Sequence, residues 1–175
     1  MTPTWSSATR DPAYRWGAVT LFAAAAVIIA ALGFEHFGGY KPCPLCLQQR
    51  YAYYASIPAV FVALILISAE RALAAALLFF AVALAFLANA ALGGYHAGAE
   101  WQIWPGPTTC AAPLEPLTVG KGGLLKELET TRVVRCDEAP WRFAGLSFAG
   151  WNVVFSLALA AGAFKAALGA RALRR

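Results

Sequence analysis

The sequence predicts an all-α membrane protein built as a four-helix transmembrane bundle. Of its 175 residues, 60% are apolar and 13% are charged, whereas soluble domains average about 45–50% apolar and about 25% charged residues. Four stretches of 19 to 28 residues contain no charged side chain, and about 20 residues, at about 1.5 Å each, cross a hydrocarbon core of about 30 Å. This composition excludes a disordered chain and an ordinary soluble globule.

Around these stretches we predict one membrane domain over residues 1–175, with four spans at about 16–34, 47–69, 72–95 and 143–164. The first span is longer than the apolar core of a secretory signal, which has about 7–15 residues, so we expect it to stay in the membrane. A very short turn at Glu70–Arg71 joins the second and third spans, which therefore pack antiparallel. Asn89 and Asn152 lie inside the third and fourth spans, where we expect hydrogen bonds between helices.

The distribution of basic residues predicts the orientation of the bundle. The face with both termini and the Glu70–Arg71 turn carries seven Lys and Arg in 28 residues, and the other face, 35–50 and 100–142, carries seven in 59. Because basic loops stay in the cytoplasm, we expect both termini there, with loops 35–46 and 96–142 on the opposite side. The net charge of +5 belongs to the cytoplasmic face, so no basic surface remains to bind nucleic acid.

The four cysteines all fall on the non-cytoplasmic side of this topology, at Cys43, Cys46, Cys110 and Cys136. An oxidising compartment on that side allows disulfides to form and persist. Cys43 and Cys46 have the C-x-x-C spacing of redox motifs. They stand at the entrance to the second span, where the N–H groups of a helix N-terminus stabilise a thiolate. The sequence therefore indicates a thiol–disulfide exchange centre at this membrane surface.

Two other uses of the cysteines compete with exchange. A tetrahedral Cys₄ zinc site usually has two closely spaced pairs, whereas Cys110 and Cys136 are separated by 25 residues. Structural disulfides are the second alternative, but the ring closed by a C-x-x-C disulfide is too small to stabilise a fold strongly. Cys110 and Cys136, taken alone, fit a structural disulfide and an exchange centre about equally well.

Oxidation of a dithiol at the membrane surface needs an acceptor for two electrons, and a lipid-soluble quinone suits this depth. Arg50 lies four residues after Cys46 and therefore on the same face of a helix. We expect its guanidinium to donate hydrogen bonds to a quinone oxygen and to stabilise negative charge on the reduced ring. The alternative is an arginine that only extends to the lipid headgroups.

These motifs resemble the DsbB family of inner-membrane disulfide-generating proteins. The resemblance rests on segment 33–50, GFEHFGGYKPCPLCLQQR, with its C-x-x-C-x-x-x-R pattern, and on the distant second pair, Cys110 and Cys136. The PWRFAGL entry to the fourth span and the four-span plan also match. The resemblance therefore extends over nearly the whole chain.

The resemblance implies a multi-pass protein of the bacterial inner membrane with its active site on the periplasmic face. In this family a soluble periplasmic thiol oxidase of the DsbA type is reoxidised through the loop pair, here Cys110 and Cys136. Electrons then pass to Cys43 and Cys46, and finally to ubiquinone or menaquinone. By position, Cys46 is expected to be the quinone-proximal thiolate and Cys43 the outer exchange partner.

The expected quinone-binding residues follow from the same resemblance. Arg50 matches the family's quinone-binding arginine. His96 is near the family's histidine at the outer end of the third span, with an interfacial histidine as the alternative. Phe148 occupies a position in the fourth span that is expected to border the quinone, with simple packing as the alternative.

Two other classes of protein fit parts of the pattern. A bis-histidine haem carrier would use His36 and His96, at the outer ends of the first and third spans, but neither histidine lies deep in a span. A structural four-span protein would use its cysteines only to lock the outer loops by disulfides. The C-x-x-C motif followed by Arg50 favours the quinone-linked oxidase.

The loop cysteines differ in their expected access to a soluble thiol oxidase. Cys110 lies between Pro107 and Pro113, in a stretch that favours an extended backbone able to dock in a groove. Cys136 lies close to the Trp141 anchor, where approach is hindered. Because exchange depends on which sulfur can be reached, a partner that retains only its attacking cysteine should be trapped on Cys110. Mass spectrometry of the adduct tests this, and a majority of adduct on Cys136 would reverse the assignment.

Overall fold

The computed structural model describes residues 11–107 and 135–173. Within these residues the chain forms four long helices and one short hairpin: α1 Pro12–His36, α2 Pro44–Ser68, α3 Ala72–Glu100, β1 Arg142–Phe143, β2 Leu146–Ser147 and α4 Phe148–Ala172. All four helices are long and apolar enough to cross a membrane. The prediction of a four-helix membrane bundle is confirmed, and within the described residues the short hairpin departs from the predicted all-α fold. The cytoplasmic location of the termini stays a prediction, and most of the predicted long loop lies outside the described residues.

Two of the helices begin with a side-chain cap at the end of the bundle that carries the cysteines. The Cys43 sulfur accepts a hydrogen bond from the backbone N–H of Cys46 at 3.2 Å, and Pro44 occupies the first turn of α2. At the start of α4, Ser147 Oγ accepts from the N–H of Gly150 at 3.2 Å. Each cap satisfies a backbone donor that a helix N-terminus leaves without a partner. Cys43, the first cysteine of the C-x-x-C motif, is therefore part of the start of α2.

Small residues allow the helices to approach one another closely. A Cβ on Gly162 of α4 would lie 2.6 Å from Thr20 Oγ1 of α1, and a Cβ on Gly93 of α3 would lie 3.0 Å from Val153 Cγ2 of α4. Lipid tails are as apolar as leucine side chains, so contact between helices in a membrane depends on close packing and not on removal from water. These glycines therefore bring α4 against both α1 and α3.

A hydrogen-bonded cluster inside the bundle joins three helices. Tyr53 Oη of α2 donates to Asn152 Oδ1 of α4 at 2.9 Å. Asn89 Nδ2 of α3 donates to Ser156 Oγ at 3.0 Å and approaches Asn152 Oδ1 at 3.3 Å. The expected interhelical role of the two asparagines is confirmed.

The hairpin turns the chain sharply just before α4. Phe143 pairs with Leu146 across the two strands, and the two turn residues, Ala144 and Gly145, have φ values of +50° and +82°. Positive φ at both central positions is the requirement of a type I′ turn. A glycine at the second position meets this requirement without strain.

We expect Asn89→Ala to lower the free energy of unfolding by about 1–2 kcal/mol, since interhelical hydrogen bonds in membranes contribute about 0.6 kcal/mol each and at most about 1.7. The measurement is reversible unfolding in mixed detergent micelles. Leu87→Ala is the matched control, because Leu87 lies in the same helix and is 48% exposed on the outer surface of the bundle. Equal effects of the two substitutions would contradict a stabilising role for the polar cluster.

Candidate active site

A cavity of about 560 Å³ opens at the end of the bundle where α2 and α4 begin and α1 and α3 end. Its lining includes five of the residues singled out in the sequence: Cys43, Cys46, Arg50, His96 and Phe148. Their positions along the chain span 106 residues, yet they converge on one space. Of the other two predicted site residues, Cys136 packs against this cavity in a cluster with Cys43, and Cys110 lies outside the described residues.

The dithiol lies at the first turn of α2. The sulfur atoms of Cys43 and Cys46 are 2.9 Å apart, and both cysteines are free. The hydrogen bond between the two sulfur atoms lowers the pKa of Cys43 to about 5. His96 and the backbone N–H of Cys46 act in the same direction, whereas burial opposes them. The lowered pKa favours the thiolate form at Cys43, whereas the assignment of the quinone-proximal thiolate to Cys46 stays a prediction.

His96 lies inside the bundle and contacts the dithiol. Its Nε2 atom is 3.6 Å from Cys43 Sγ, and its Nδ1 atom is 2.9 Å from the amide nitrogen of Gln49. The residue is only 2% exposed, which does not fit the alternative of an interfacial histidine. Gln49 was not among the site residues predicted from the sequence. Its spacing of three residues from Cys46, which places both on one helix face, was the available signal.

Glu100 is a second residue that sequence reasoning missed. Its carboxylate accepts a hydrogen bond from Ser147 Oγ and lies 3.7 Å from His96 Nε2, with the side chain 3% exposed. The sequence places Glu100 at the end of a span, where a carboxylate normally faces water. The spacing of four residues from His96 was the only local sign that both side chains share one face.

Arg50 is paired across two helices. Its Nη1 atom donates to Glu35 Oε2 of α1 at 2.5 Å, and the Arg50 side chain is 13% exposed. This geometry does not fit an arginine that extends to the headgroups. The guanidinium has five N–H donors, so this contact leaves donors available along the cavity that Arg50 lines.

Four aromatic rings form one wall of the cavity. Phe148 stacks on Trp141 with a centroid separation of 4.8 Å and meets Phe34 and Tyr40 edge-on at 5.2 and 5.7 Å. All four rings also line the cavity. Phe148 therefore packs against neighbouring rings and also borders the cavity. The packing role and the role beside a quinone, which were alternatives for this residue, are compatible.

Cys136 lies against the dithiol and takes part in a disulfide. Its sulfur, the Cys43 sulfur and a ring nitrogen of His96 all lie within 4.8 Å of one another, and Cys136 is 1% exposed. Because zinc binds the thiolate form of cysteine, a disulfide-bonded Cys136 does not support the zinc alternative. The proximity of two sulfurs from different pairs is what disulfide exchange requires.

Comparison with known proteins agrees with this geometry. A family model described as disulfide bond formation protein DsbB matches residues 13–166. The chain belongs to the DsbB family. Proteins named disulfide bond formation protein B, from Xanthomonas oryzae pv. oryzae, Aromatoleum aromaticum and Methylococcus capsulatus, are similar to it. They are 32%, 31% and 33% identical, over 90%, 74% and 78% of this chain and 95%, 79% and 83% of their own lengths. No solved structure matches this chain.

Family membership and the four spanning helices make this DsbB-family protein a disulfide-forming oxidoreductase of a membrane. The resemblance to the DsbB family indicated by the C-x-x-C-x-x-x-R segment is therefore confirmed.

The acidity of Cys43 should depend on its partner thiol. In the reduced protein we expect alkylation of Cys43 by iodoacetamide to have a midpoint near pH 5, the pKa of its thiol. Cys46→Ala removes the main stabilising donor and should raise the midpoint towards the ordinary thiol value of about 8.5, whereas Cys46→Ser keeps a hydroxyl donor and should fall between. The measurement is mass spectrometry of the Cys43 peptide across pH. An unchanged midpoint in Cys46→Ala would contradict this account.

Proposed function

We propose that this DsbB-family protein is a protein dithiol:quinone oxidoreductase of the bacterial inner membrane. In this proposal it reoxidises a periplasmic DsbA-like thiol oxidase, passing electrons from Cys110 and Cys136 to Cys43 and Cys46 and on to ubiquinone or menaquinone. The observation that carries the proposal is a cavity at one end of a membrane bundle. That cavity brings a dithiol, an arginine and an aromatic wall together.

The exchange between the two cysteine pairs is supported by the position of Cys136. When the soluble partner attacks Cys110 in a Cys110–Cys136 disulfide, Cys136 leaves as a thiolate. That thiolate then attacks Cys43 in a Cys43–Cys46 disulfide, so that a Cys43–Cys136 bond forms and Cys46 receives the electron pair. The Cys43 and Cys136 sulfurs are within 4.8 Å of each other, close enough for this attack after small side-chain rotations. The burial of Cys136 supports the expectation that the partner reaches Cys110.

Resolution of the intermediate restores the loop disulfide. The second thiolate of the partner releases Cys110 from the mixed disulfide, and Cys110 attacks Cys136 in the Cys43–Cys136 bond. The products are an oxidised partner, a Cys110–Cys136 disulfide and a reduced pair at Cys43 and Cys46. A disulfide-bonded Cys136 beside two free thiols fits this product state.

The residues of the cavity fit a quinone. Its volume of about 560 Å³ is within the usual range for small-molecule sites, about 300–1,000 Å³. The stacked rings of Trp141 and Phe148 offer a flat apolar surface for a planar ring, and Arg50 would hold a ring oxygen through its free N–H donors. A quinone bound there supplies the capacity to take up two electrons and two protons. Glu35 holds the guanidinium of Arg50 in place from α1.

Anaerobic mixing of the reduced, quinone-free protein with ubiquinone tests the proposal. We expect the absorbance of the quinone to fall as quinol forms, together with oxidation of the thiols. Cys43→Ser should abolish this turnover, whereas a structural protein with disulfide-locked loops would be unaffected by the substitution. Absence of quinol formation by the unmodified protein with both ubiquinone and menaquinone would overturn the proposal.

The role of Arg50 predicts a separation of two activities. Arg50→Ala removes a charge-assisted hydrogen bond of about 1.5–3 kcal/mol, so the KM for quinone should rise roughly tenfold to over a hundredfold. Thiol exchange with a DsbA-like partner, measured in single turnover, should be retained. Arg50→Ala leaves the carboxylate of Glu35 without its partner. The double variant Arg50→Ala with Glu35→Gln is the control for this effect. An unchanged KM in both variants would exclude Arg50 as a quinone ligand.

A further inference from the structure

A buried carboxyl group lies beside the dithiol and has no part in the sulfur chemistry described above. Glu100 ends α3, and its side chain is 3% exposed. Ser147 at the start of α4 donates a hydrogen bond to one carboxylate oxygen. An ionisable side chain is costly in a membrane bundle, and its presence there usually marks a proton or substrate pathway.

His96 connects this carboxyl group to the dithiol through a single ring nitrogen. The Nε2 atom lies 3.6 Å from Cys43 Sγ and 3.7 Å from Glu100 Oε1. The amide of Gln49 lies 2.9 Å from the other ring nitrogen. Rotation of the glutamine amide by 180° presents either an N–H donor or an oxygen acceptor to the ring. The amide can therefore form a hydrogen bond with Nδ1 whether or not that atom carries a proton. The ring can therefore accept a proton at Nε2 and release it at the same atom.

We propose that Glu100 stores the proton that leaves the Cys43 thiol, and that this proton reaches the carboxylate through His96 Nε2. The inference rests on the redox role proposed for the dithiol. In the reduced site Cys43 is then a thiolate, Cys46 a thiol and Glu100 a protonated carboxyl. Glu100 does not contact the sulfur atoms in this proposal and exchanges its proton with Cys43 only through His96.

The charges around Glu100 favour such an exchange. On α3 it faces His96, at the start of α2 it faces the Cys43 and Cys46 thiols, and from the hairpin it is exposed to the charge of Arg142. Two neighbouring anions in a buried site disfavour each other, so a thiolate at Cys43 favours a protonated Glu100. When the dithiol becomes a disulfide the thiolate disappears, and Arg142 and Ser147 then stabilise the carboxylate, which releases its proton.

The step balances in electrons and protons. Oxidation of the pair forms the Cys43–Cys46 sulfur–sulfur bond and removes two electrons. One proton leaves the Cys46 thiol, and the second leaves the Glu100 carboxyl group. An acceptor of the quinone class consumes both electrons and both protons, so nothing is left over.

A proton count without quinone tests the inference. Ferricyanide accepts electrons but no protons, so at pH 7 in weak buffer a pH indicator reports the protons released when the quinone-free, reduced protein is oxidised. We expect two protons per dithiol from the unmodified protein and one from Glu100→Gln, in which Cys43 is a thiolate with no stored proton beside it. Glu70→Gln, in the exposed turn at the opposite end of the bundle, is the matched control and should release two.

Infrared difference spectroscopy gives a second readout that needs no substitution of Glu100. The reduced-minus-oxidised spectrum should contain the carbonyl band of a protonated carboxyl group, which shifts on ¹³C labelling of glutamate and on Ser147→Ala. Release of two protons by Glu100→Gln, or absence of the labelled band in the unmodified protein, would overturn the storage role. Since ferricyanide replaces quinone, failure of quinone reduction leaves these two measurements unaffected, and the two proposals can fail separately.

Discussion

The hydrogen bond from the Cys46 backbone N–H to the Cys43 sulfur ties the chemistry of this protein to its fold. A membrane bundle must satisfy its backbone groups within its own helices, and a helix start leaves several N–H groups without partners. Here a sulfur atom fills one of these positions. The Cys43 thiol is therefore fixed by the same contact that begins α2, and the helix N-terminus in turn stabilises its anionic form.

Four ionisable side chains at the cavity end of the bundle form two contacting pairs. Arg50 meets Glu35 between α2 and α1, and His96 meets Glu100 within α3. An isolated charge is expensive at this depth, so pairing makes these side chains tolerable in a bundle that is otherwise apolar. The pairing also has a chemical consequence, since Arg50 of the first pair and both members of the second pair line the cavity. The fold thus places the guanidinium of Arg50 and the pair of His96 and Glu100 beside the same cavity.

The short hairpin before α4 completes the site at the end of the bundle. Its turn at Ala144 and Gly145 reverses the chain, so that Trp141 lies on Phe148 and Ser147 reaches Glu100. One local feature therefore supplies both the aromatic wall and the hydrogen bond to the buried carboxyl group. The four transmembrane helices provide the scaffold, whereas the irregular segments at their ends provide the specific contacts.

The sequence by itself determined the helices, the exchange motif and the family, because apolar length and the C-x-x-C-x-x-x-R spacing are local properties. Arg50 could be found because it shares a helix face with Cys46. Only the tertiary structure decided that Glu35 holds Arg50 and that Glu100 lies beside His96 inside the site. The Cys46 thiol, which contributes most to the lowered pKa of Cys43, is a local contact within the motif. The further contribution of His96 comes from a residue 53 positions away, and such distances are set by helix packing, which local spacing does not encode.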